Sequence, residues 1–260
     1  MVLSTLRSLF QRLKALREPP AKTLDEWEER HRQVVAETLD RIESWIPKSG
    51  VILDVGANVG LFTEELAKRR PGNTFQLFEP VAQYFARCEA RLGGRNGIAL
   101  WQLALSDQNE RRPIYKAKHN PGANSVVPEI MFDRRENSMV QPNTIVEEES
   151  IECARFSDWG PAHGIEAVAF IKIDTEGFDY AVLRGLIEFL RGAPKLPPIL
   201  TELLSADYHP FWAEQEQVLE ELFALGYSRF PLQDLPKVGD VLLLPRELGE
   251  SFILPEEGHG

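Results

Sequence analysis

The chain predicts an α/β fold, with an open, mostly parallel sheet, helices on both faces and an N-terminal helical extension. Short apolar runs recur between residues 51 and 244 with helical stretches between them, the rhythm of parallel strands joined by crossover helices. The first run, Val51-Ile52-Leu53-Asp54-Val55, passes directly into a glycine-bearing loop and then a helix. Residues 1–48 instead carry apolar residues at helical spacing, up to a hinge at Pro47-Lys48-Ser49-Gly50. The predicted division is therefore an extension over 1–48 and a main domain over 49–260.

Within 1–17, Val2, Leu6, Leu9, Phe10, Leu13 and Leu16 share helical spacing with Arg7, Arg12, Lys14 and Arg17 between them. Such a helix can lie on an anionic membrane surface. Packing of the stripe on the main domain or on a second subunit is the preferred reading, because apolar stripes usually face protein. Pro19-Pro20 ends it. A second helix starts at Thr23, which has capping-box spacing to Glu26, and places Trp27, Val34, Val35, Leu39, Ile42 and Ile46 on one side.

Predicted strands follow at Val51–Val55, Thr74–Phe78, Ile98–Ala104, Ala167–Ile173 and Pro198–Leu203, with a helix over Leu61–Arg70. Tyr227–Phe230 and Val241–Leu244 suit an antiparallel closing pair at the sheet edge. The connection over about 108–166 is too long for one crossover helix and predicts an inserted hairpin or flap.

Composition narrows the function. With 29 Lys+Arg against 40 Asp+Glu the formal charge is −11, which argues against a binder that grips nucleic acid by whole-domain charge. Cys88 and Cys153 make no disulfide framework in a chain of 260 residues and read as reduced, partly buried thiols. No apolar run reaches membrane-span length, and the basic residues of 1–17 interrupt any signal region. A cytoplasmic protein, with peripheral membrane contact through 1–17 as an option, is expected.

Ligands of open α/β sheets bind beyond the carboxyl ends of the strands. The loop Gly56-Ala57-Asn58-Val59-Gly60 lacks the glycine spacing of a dinucleotide fingerprint and the Gly-Lys-Ser/Thr of a triphosphate loop. Asp54 at its base repels phosphate and attracts an ammonium group. The second strand ends in Glu79-Pro80, 25 residues after Asp54, near the offset of a ribose-binding carboxylate. The third is followed by Ser106-Asp107, placed for an adenine amino group. Three acidic strand ends in that order describe S-adenosylmethionine. The candidate cofactor residues are Asp54, Gly56, Asn58, Gly60, Glu79, Pro80, Ser106 and Asp107.

These motifs resemble the FkbM family of methyltransferases: DVGANVG at 54–60, FEP at 78–80, ALSD at 104–107 and IKIDTEGFDYAVLRG at 171–185. Asn124-Ser125 is similar to the family's small polar pair in the insertion. Where relatives tend to carry Leu-Asp before the fourth strand, this chain has Phe156-Ser157 followed by Asp158-Trp159. The resemblance implies a Rossmann-like class I methyltransferase fold with a seven-stranded sheet, and transfer of a methyl group to a hydroxyl of a sugar, glycan or natural product.

Asp174 and Glu176, at the fourth strand end, and Glu202, on the fifth strand, are the candidate catalytic carboxylates, able to take or orient a hydroxyl proton. His119, in the insertion, is a further catalytic candidate, whereas His31 reads as a helix-surface residue and His163 and His209 as loop residues. Tyr208, Phe211 and Trp212 suit either the floor of a sugar pocket or a hydrophobic staple. Neighbouring carboxylates can hold Mg²⁺, but the reading without a metal is preferred, since alignment with a preactivated sulfonium supplies much of the rate. Two alternatives to an O-methyltransferase stand beside it: a non-catalytic scaffold attached to a membrane or complex through helix 1–17, and a nucleic-acid methyltransferase. The latter is disfavoured by the acidic charge and by Asp174-Thr175-Glu176-Gly177 in place of a polar-Pro-Pro-aromatic motif.

Overall fold

A computed structural model describes residues 23–117, 122, 124–131, 145–232 and 238–249. The helix expected over 1–17, and His119, lie outside the described residues.

Helix α1 (Leu24–Ile42) starts where the sequence placed it: the Thr23 side chain accepts a hydrogen bond from the backbone N–H of Glu26 at 3.2 Å. Its inner side buries Leu39 and Ile42, with Ile46 following into the same core, while Trp27 is buried in a separate cluster with Tyr84 and Ile114. Val34, in the same stripe, is instead exposed. Ion pairs fix α1 sideways. Buried Glu28 receives both Arg87 and Arg91, Arg32 meets Glu64 at 2.8 Å, and Arg69 meets Asp40 at 2.6 Å.

The main sheet has seven strands in the order β3-β2-β1-β7-β8-β10-β9. These are β1 (Gly50–Val55), β2 (Asn73–Phe78), β3 (Ile98–Trp101), β7 (Phe170–Ile173), β8 (Ile199–Leu204), β9 (Tyr227–Pro231) and β10 (Val238–Pro245). β1 pairs in parallel with both β2 and β7, and β10 runs antiparallel between β8 and β9, as the closing pair required. Helices α2 (Leu61–Arg69), α3 (Ala82–Leu92), α6 (Asp179–Gly192) and α7 (Trp212–Leu225) make the crossovers. The strands are apolar on both faces because helices cover both, and two buried clusters result. One joins Leu53, Ile171 and Ile199 to Leu183, Leu186 and Leu222; the other joins Ile52, Phe75 and Leu242 to Leu66, Leu92, Leu39 and Ile42.

The third expected strand, Ile98–Ala104, is divided. β3 ends at Trp101, and residues 104–106 form β4 (Ala104–Ser106) of a separate three-stranded sheet, order β4-β6-β5, with β5 (Glu110–Ala117) and β6 (Ile145–Arg155). The turn at Gln102-Leu103 takes the chain out of the main sheet, so the apolar run continues in sequence while its pairing changes. β5 and β6 are antiparallel, the hairpin expected of the insertion, and a short helix α4 (Pro128–Met131) lies between them.

The unusual Phe156-Ser157 opens helix α5 (Phe156–Ala162). Phe156 is fully buried, while Ser157 Oγ donates to the carbonyl of Gly185 at 2.7 Å and accepts from the N–H of Phe189 at 3.0 Å. Its role is to fasten α5 to α6. Cys88 and Cys153 are free and buried, and burial pushes their thiols up to about 12 and about 11. Among the described residues no helix is long and apolar enough to cross a membrane.

Candidate active site

The carboxyl ends of β1, β2, β7 and β8 open into one cavity of about 380 Å³, within the range of small-molecule sites. Gly56, Asn58, Glu79, Pro80, Asp174, Glu176 and Glu202 all line it, so seven of the twelve candidate residues meet there.

The loop after β1 is held by protein before any ligand is considered. The N–H groups of Gly56 and Ala57 both donate to the carbonyl of Phe78, each at 3.0 Å, joining the ends of β1 and β2. Gly56 has φ +73°, and a Cβ there would stand 2.0 Å from the carbonyl oxygen of Asp174. Only glycine lets the loop close on β7 at that point. Asn58, at φ +50°, is left-handed as well, a conformation that asparagine tolerates better than most residues. Its N–H donates to Glu79 Oε2 at 2.8 Å.

Glu79 is buried, and its other oxygen accepts from the N–H of Val81, also at 2.8 Å. Two backbone bonds fix the carboxylate as a flat acceptor and occupy about half of its roughly four lone-pair sites. Burial raises its pKa to about 7; the two N–H groups and Lys172 oppose that shift, and Asp54 adds to it.

Asp54 corrects the expectation that it binds an ammonium group. It is completely buried and is not among the cavity walls. Thr63 Oγ1 donates to its Oδ2 at 2.7 Å, and Lys172 Nζ stands 3.3 Å from its Oδ1. The side chain points into the sheet–helix interface and anchors α2, because strand alternation carries it away from the open end. Gly60 is likewise not a wall residue; it caps α2 at φ +82°.

Ser106 and Asp107 also turn away. Ser106 is buried beneath Gly185, and Asp107 pairs with Arg184 of α6 at 3.2 Å. The departure of β4 from the main sheet is the physical reason, and the cavity walls there are Ala104 and Leu105.

Lys172 joins the two halves of the site. It is the one charged residue of buried β7, and its Nζ donates to the carbonyl of Gly56 at 2.7 Å and stands 3.6 Å from Asp174 Oδ2. Burial works against its charge, yet Asp54 and Asp174 outweigh burial and its pKa is raised. A lone lysine within Phe170-Ile171-Lys172-Ile173 was the sequence signal for this role.

Asp179 organises the far end. Its Oδ2 accepts from the N–H and Oγ1 of Thr175 at 3.1 and 2.7 Å, and its Oδ1 from Thr201 Oγ1 and the N–H of Glu202 at 2.9 and 3.2 Å. This ties the ends of β7 and β8 together. Asp174, Glu176, Glu202 and Asp240 line the cavity at this end, with Asp240 directly opposite Glu202 in the β10–β8 register. Burial pushes Glu176 well above the ordinary carboxylate range, with Asp174 and Asp179 adding repulsion. Glu202 is raised first by burial and then by Glu176 and Asp174. Among the described residues no three His, Cys, Asp or Glu side chains converge in an arrangement that could hold a metal ion.

α1 forms the roof through Trp27, His31, Val34, Val35 and Thr38. The reading of His31 as a surface residue is corrected: the ring is half-buried, lies stacked on Trp27 with centroids 3.7 Å apart, and feels the charge of Asp174. Tyr208, Phe211 and Trp212 are not cavity walls; Phe211, at the start of α7, stacks on Tyr180 of α6 with centroids 5.7 Å apart.

Residues 54–229 match the model of the methyltransferase FkbM domain. The chain belongs to this methyltransferase family. A 2-O-methyltransferase, NoeI, of Sinorhizobium fredii is 29% identical over 189 residues, covering 69% of this chain and 72% of that protein. The methyltransferase sdnD of Sordaria araneosa is 26% identical over 162 residues, which is 55% of this chain and 62% of sdnD, less than two thirds of that relative's length. Among solved structures, Aeropyrum pernix fibrillarin in complex with natively bound S-adenosyl-L-methionine superposes with a TM-score of 0.45 at 10% identity, over 80% of this chain and 74% of fibrillarin. The FkbM match covers the cavity floor, while α1 lies outside it.

Proposed function

We propose that this FkbM-family protein transfers the methyl group of S-adenosylmethionine to a hydroxyl of a sugar, glycan or small natural product. The observation that carries the reading is Glu79, a buried carboxylate locked by two backbone N–H groups at the wall of the cavity, with acceptor capacity left for a ribose diol. Gly56, Asn58 and Pro80 would hold the rest of the nucleoside, while Asp54 and Lys172 keep their loop in place. When bound, the sulfonium supplies an electrophilic methyl group.

The chain's own work is orientation. Asp174, Glu176 and Glu202 stand at the end away from Glu79 and accept hydrogen bonds from the hydroxyls of an acceptor. Burial and repulsion from neighbouring carboxylates raise the proton affinity of Glu176 and Glu202, and a carboxyl group that holds a proton donates as well as accepts, which suits a polyol. The hydroxylated class of acceptor is supported by this acid-rich end and by the similarity to NoeI, a 2-O-methyltransferase. The acidic net charge and the missing polar-Pro-Pro-aromatic motif argue against nucleic acid.

The test is to incubate the full chain with S-adenosylmethionine and a panel of mono- and oligosaccharides, natural-product alcohols and RNA, and to locate any new methyl group by tandem mass spectrometry. A methyl ether on a sugar or alcohol oxygen is the expected product. Methylation confined to nitrogen, carbon or RNA contradicts the proposal.

A further inference from the structure

We infer that His31 of α1, a residue outside the family-matched region, is the group that receives the proton of the reacting hydroxyl. The inference rests on the methyltransferase reading above and adds a catalytic residue to it.

Three features of the ring carry it. Its Nδ1 lies 2.7 Å from the carbonyl oxygen of Trp27. A carbonyl only accepts, so Nδ1 carries the hydrogen and the lone pair of the neutral ring belongs to Nε2. Trp27 stacks against one face with planes 22° apart, which leaves the ring little freedom to turn. The ring lines the same cavity as Asp174, whose charge reaches it. A backbone carbonyl on one nitrogen, an aromatic plate behind and a carboxylate nearby make an oriented base of the general kind.

Burial lowers the pKa of His31, against opposing contributions from Trp27 and Asp174 and with a smaller lowering by Arg30. The ring is thus neutral, and ready to accept, around neutral pH. In the step, the acceptor oxygen passes its proton to Nε2 while its lone pair forms the C–O bond to the methyl group. The S–C bond breaks onto sulfur. Hydroxyl plus sulfonium become methyl ether plus thioether, and the proton rests on the imidazolium near Asp174 until solvent takes it.

Because α1 is held on the domain by Glu28, Arg87 and Arg91, the base arrives with the roof of the site. The extension is then part of the catalytic unit.

The test uses sinefungin, an S-adenosylmethionine analogue with an amine where the methyl group would be, against S-adenosylhomocysteine, which has nothing there. Long-range proton–nitrogen spectra of the ¹⁵N-histidine-labelled full chain, with His31 assigned by loss of its signals in His31→Gln, report the tautomer and its response. The expected result is an Nδ1–H ring whose Nε2 signal moves with sinefungin and much less with S-adenosylhomocysteine, while His31→Gln binds S-adenosylhomocysteine as the parent does. An Nε2–H tautomer, or the same His31 spectrum with both bound nucleosides, overturns the inference alone. If calorimetry shows that neither nucleoside binds, the methyltransferase reading falls and this inference with it.

Discussion

Ser125 Oγ donates a 2.7 Å hydrogen bond to the main-chain carbonyl of Glu176, which ties the inserted sheet to the acid-rich end of the cavity. Glu176 is held at φ +53°, a left-handed conformation that costs a side-chain-bearing residue about 1–2 kcal/mol. Ser125 also accepts from the N–H of Val127 at 3.0 Å, so one buried hydroxyl serves both elements. The serine of the small polar pair is thus a clamp on Glu176. Replacing it with alanine is expected to cost about 1–3 kcal/mol, the penalty for buried polar groups left without a partner. Glu176→Gly is expected to be more stable than Glu176→Ala by about 1 kcal/mol, since only glycine relaxes there. Urea denaturation of the three variants checks both statements; equal stability of the glycine and alanine forms would refute the strain.

The Lys172–Asp54 contact is a structural pair, and its loss should be severe. Lys172→Met leaves the fully buried Asp54 with Thr63 and no cation, an arrangement that typically costs about 3–5 kcal/mol. Adding Asp54→Asn removes the orphaned charge and should restore part of the loss. Denaturation midpoints of the two single variants and the double variant decide it. Additive losses would show that the two side chains do not act together.

Glu79 gives ligand binding a pH dependence of definite sign. Its pKa is raised from 4.5 to about 7 in the folded chain. The folded state therefore holds a proton that the unfolded state has released between those values, so Glu79's contribution to stability falls as pH rises from 4.5 through about 7 and is level above. Ribose hydroxyls donate to the ionised form. The affinity for S-adenosylhomocysteine should rise with pH up to about 7 and then flatten, with proton release on binding below that point. Calorimetry in buffers of different ionisation enthalpy measures this, and Glu79→Gln should abolish the proton release.

The roof depends on charge. Glu28→Gln weakens the grip of Arg87 and Arg91 on α1, while Arg91 keeps its bond to the carbonyl of Val59. The expected outcome is local: faster amide hydrogen exchange in residues 24–42, with α6 unchanged. Uniform acceleration across the chain would show that α1 folds only with the whole.

The sheet was legible because its strands are short apolar runs, and the carboxyl ends of β1, β2, β7 and β8 carry an acid or a glycine that marks where a ligand can sit. That Glu79, Asp174, Glu176 and Glu202 line one cavity agrees with their place at strand ends. Asp54 misled, because a strand buried on both faces gives no alternation from which to tell whether its acid points to the cavity or into the interior. Ser106 and Asp107 misled for a different reason: Ile98–Ala104 is apolar but for Gln102, and one polar residue does not record that pairing moves to another sheet after Trp101. His31 was read as a helix-surface residue, since its spacing on α1 is compatible with the surface. Only the docking of α1 through Glu28 and Leu39 brings the ring to the cavity that Asp174 also lines.

The central claim is that a methyl-donor nucleoside occupies the cavity with its ribose on Glu79. The most direct measurement is a calorimetric titration of S-adenosylhomocysteine into the full chain and into Glu79→Gln, with circular dichroism confirming that the variant is folded. Binding in the micromolar range by the parent is expected, weakened at least about tenfold in the variant, as loss of hydrogen bonds to a charged group implies. No binding by the parent, or equal affinity in a folded Glu79→Gln, would contradict the account.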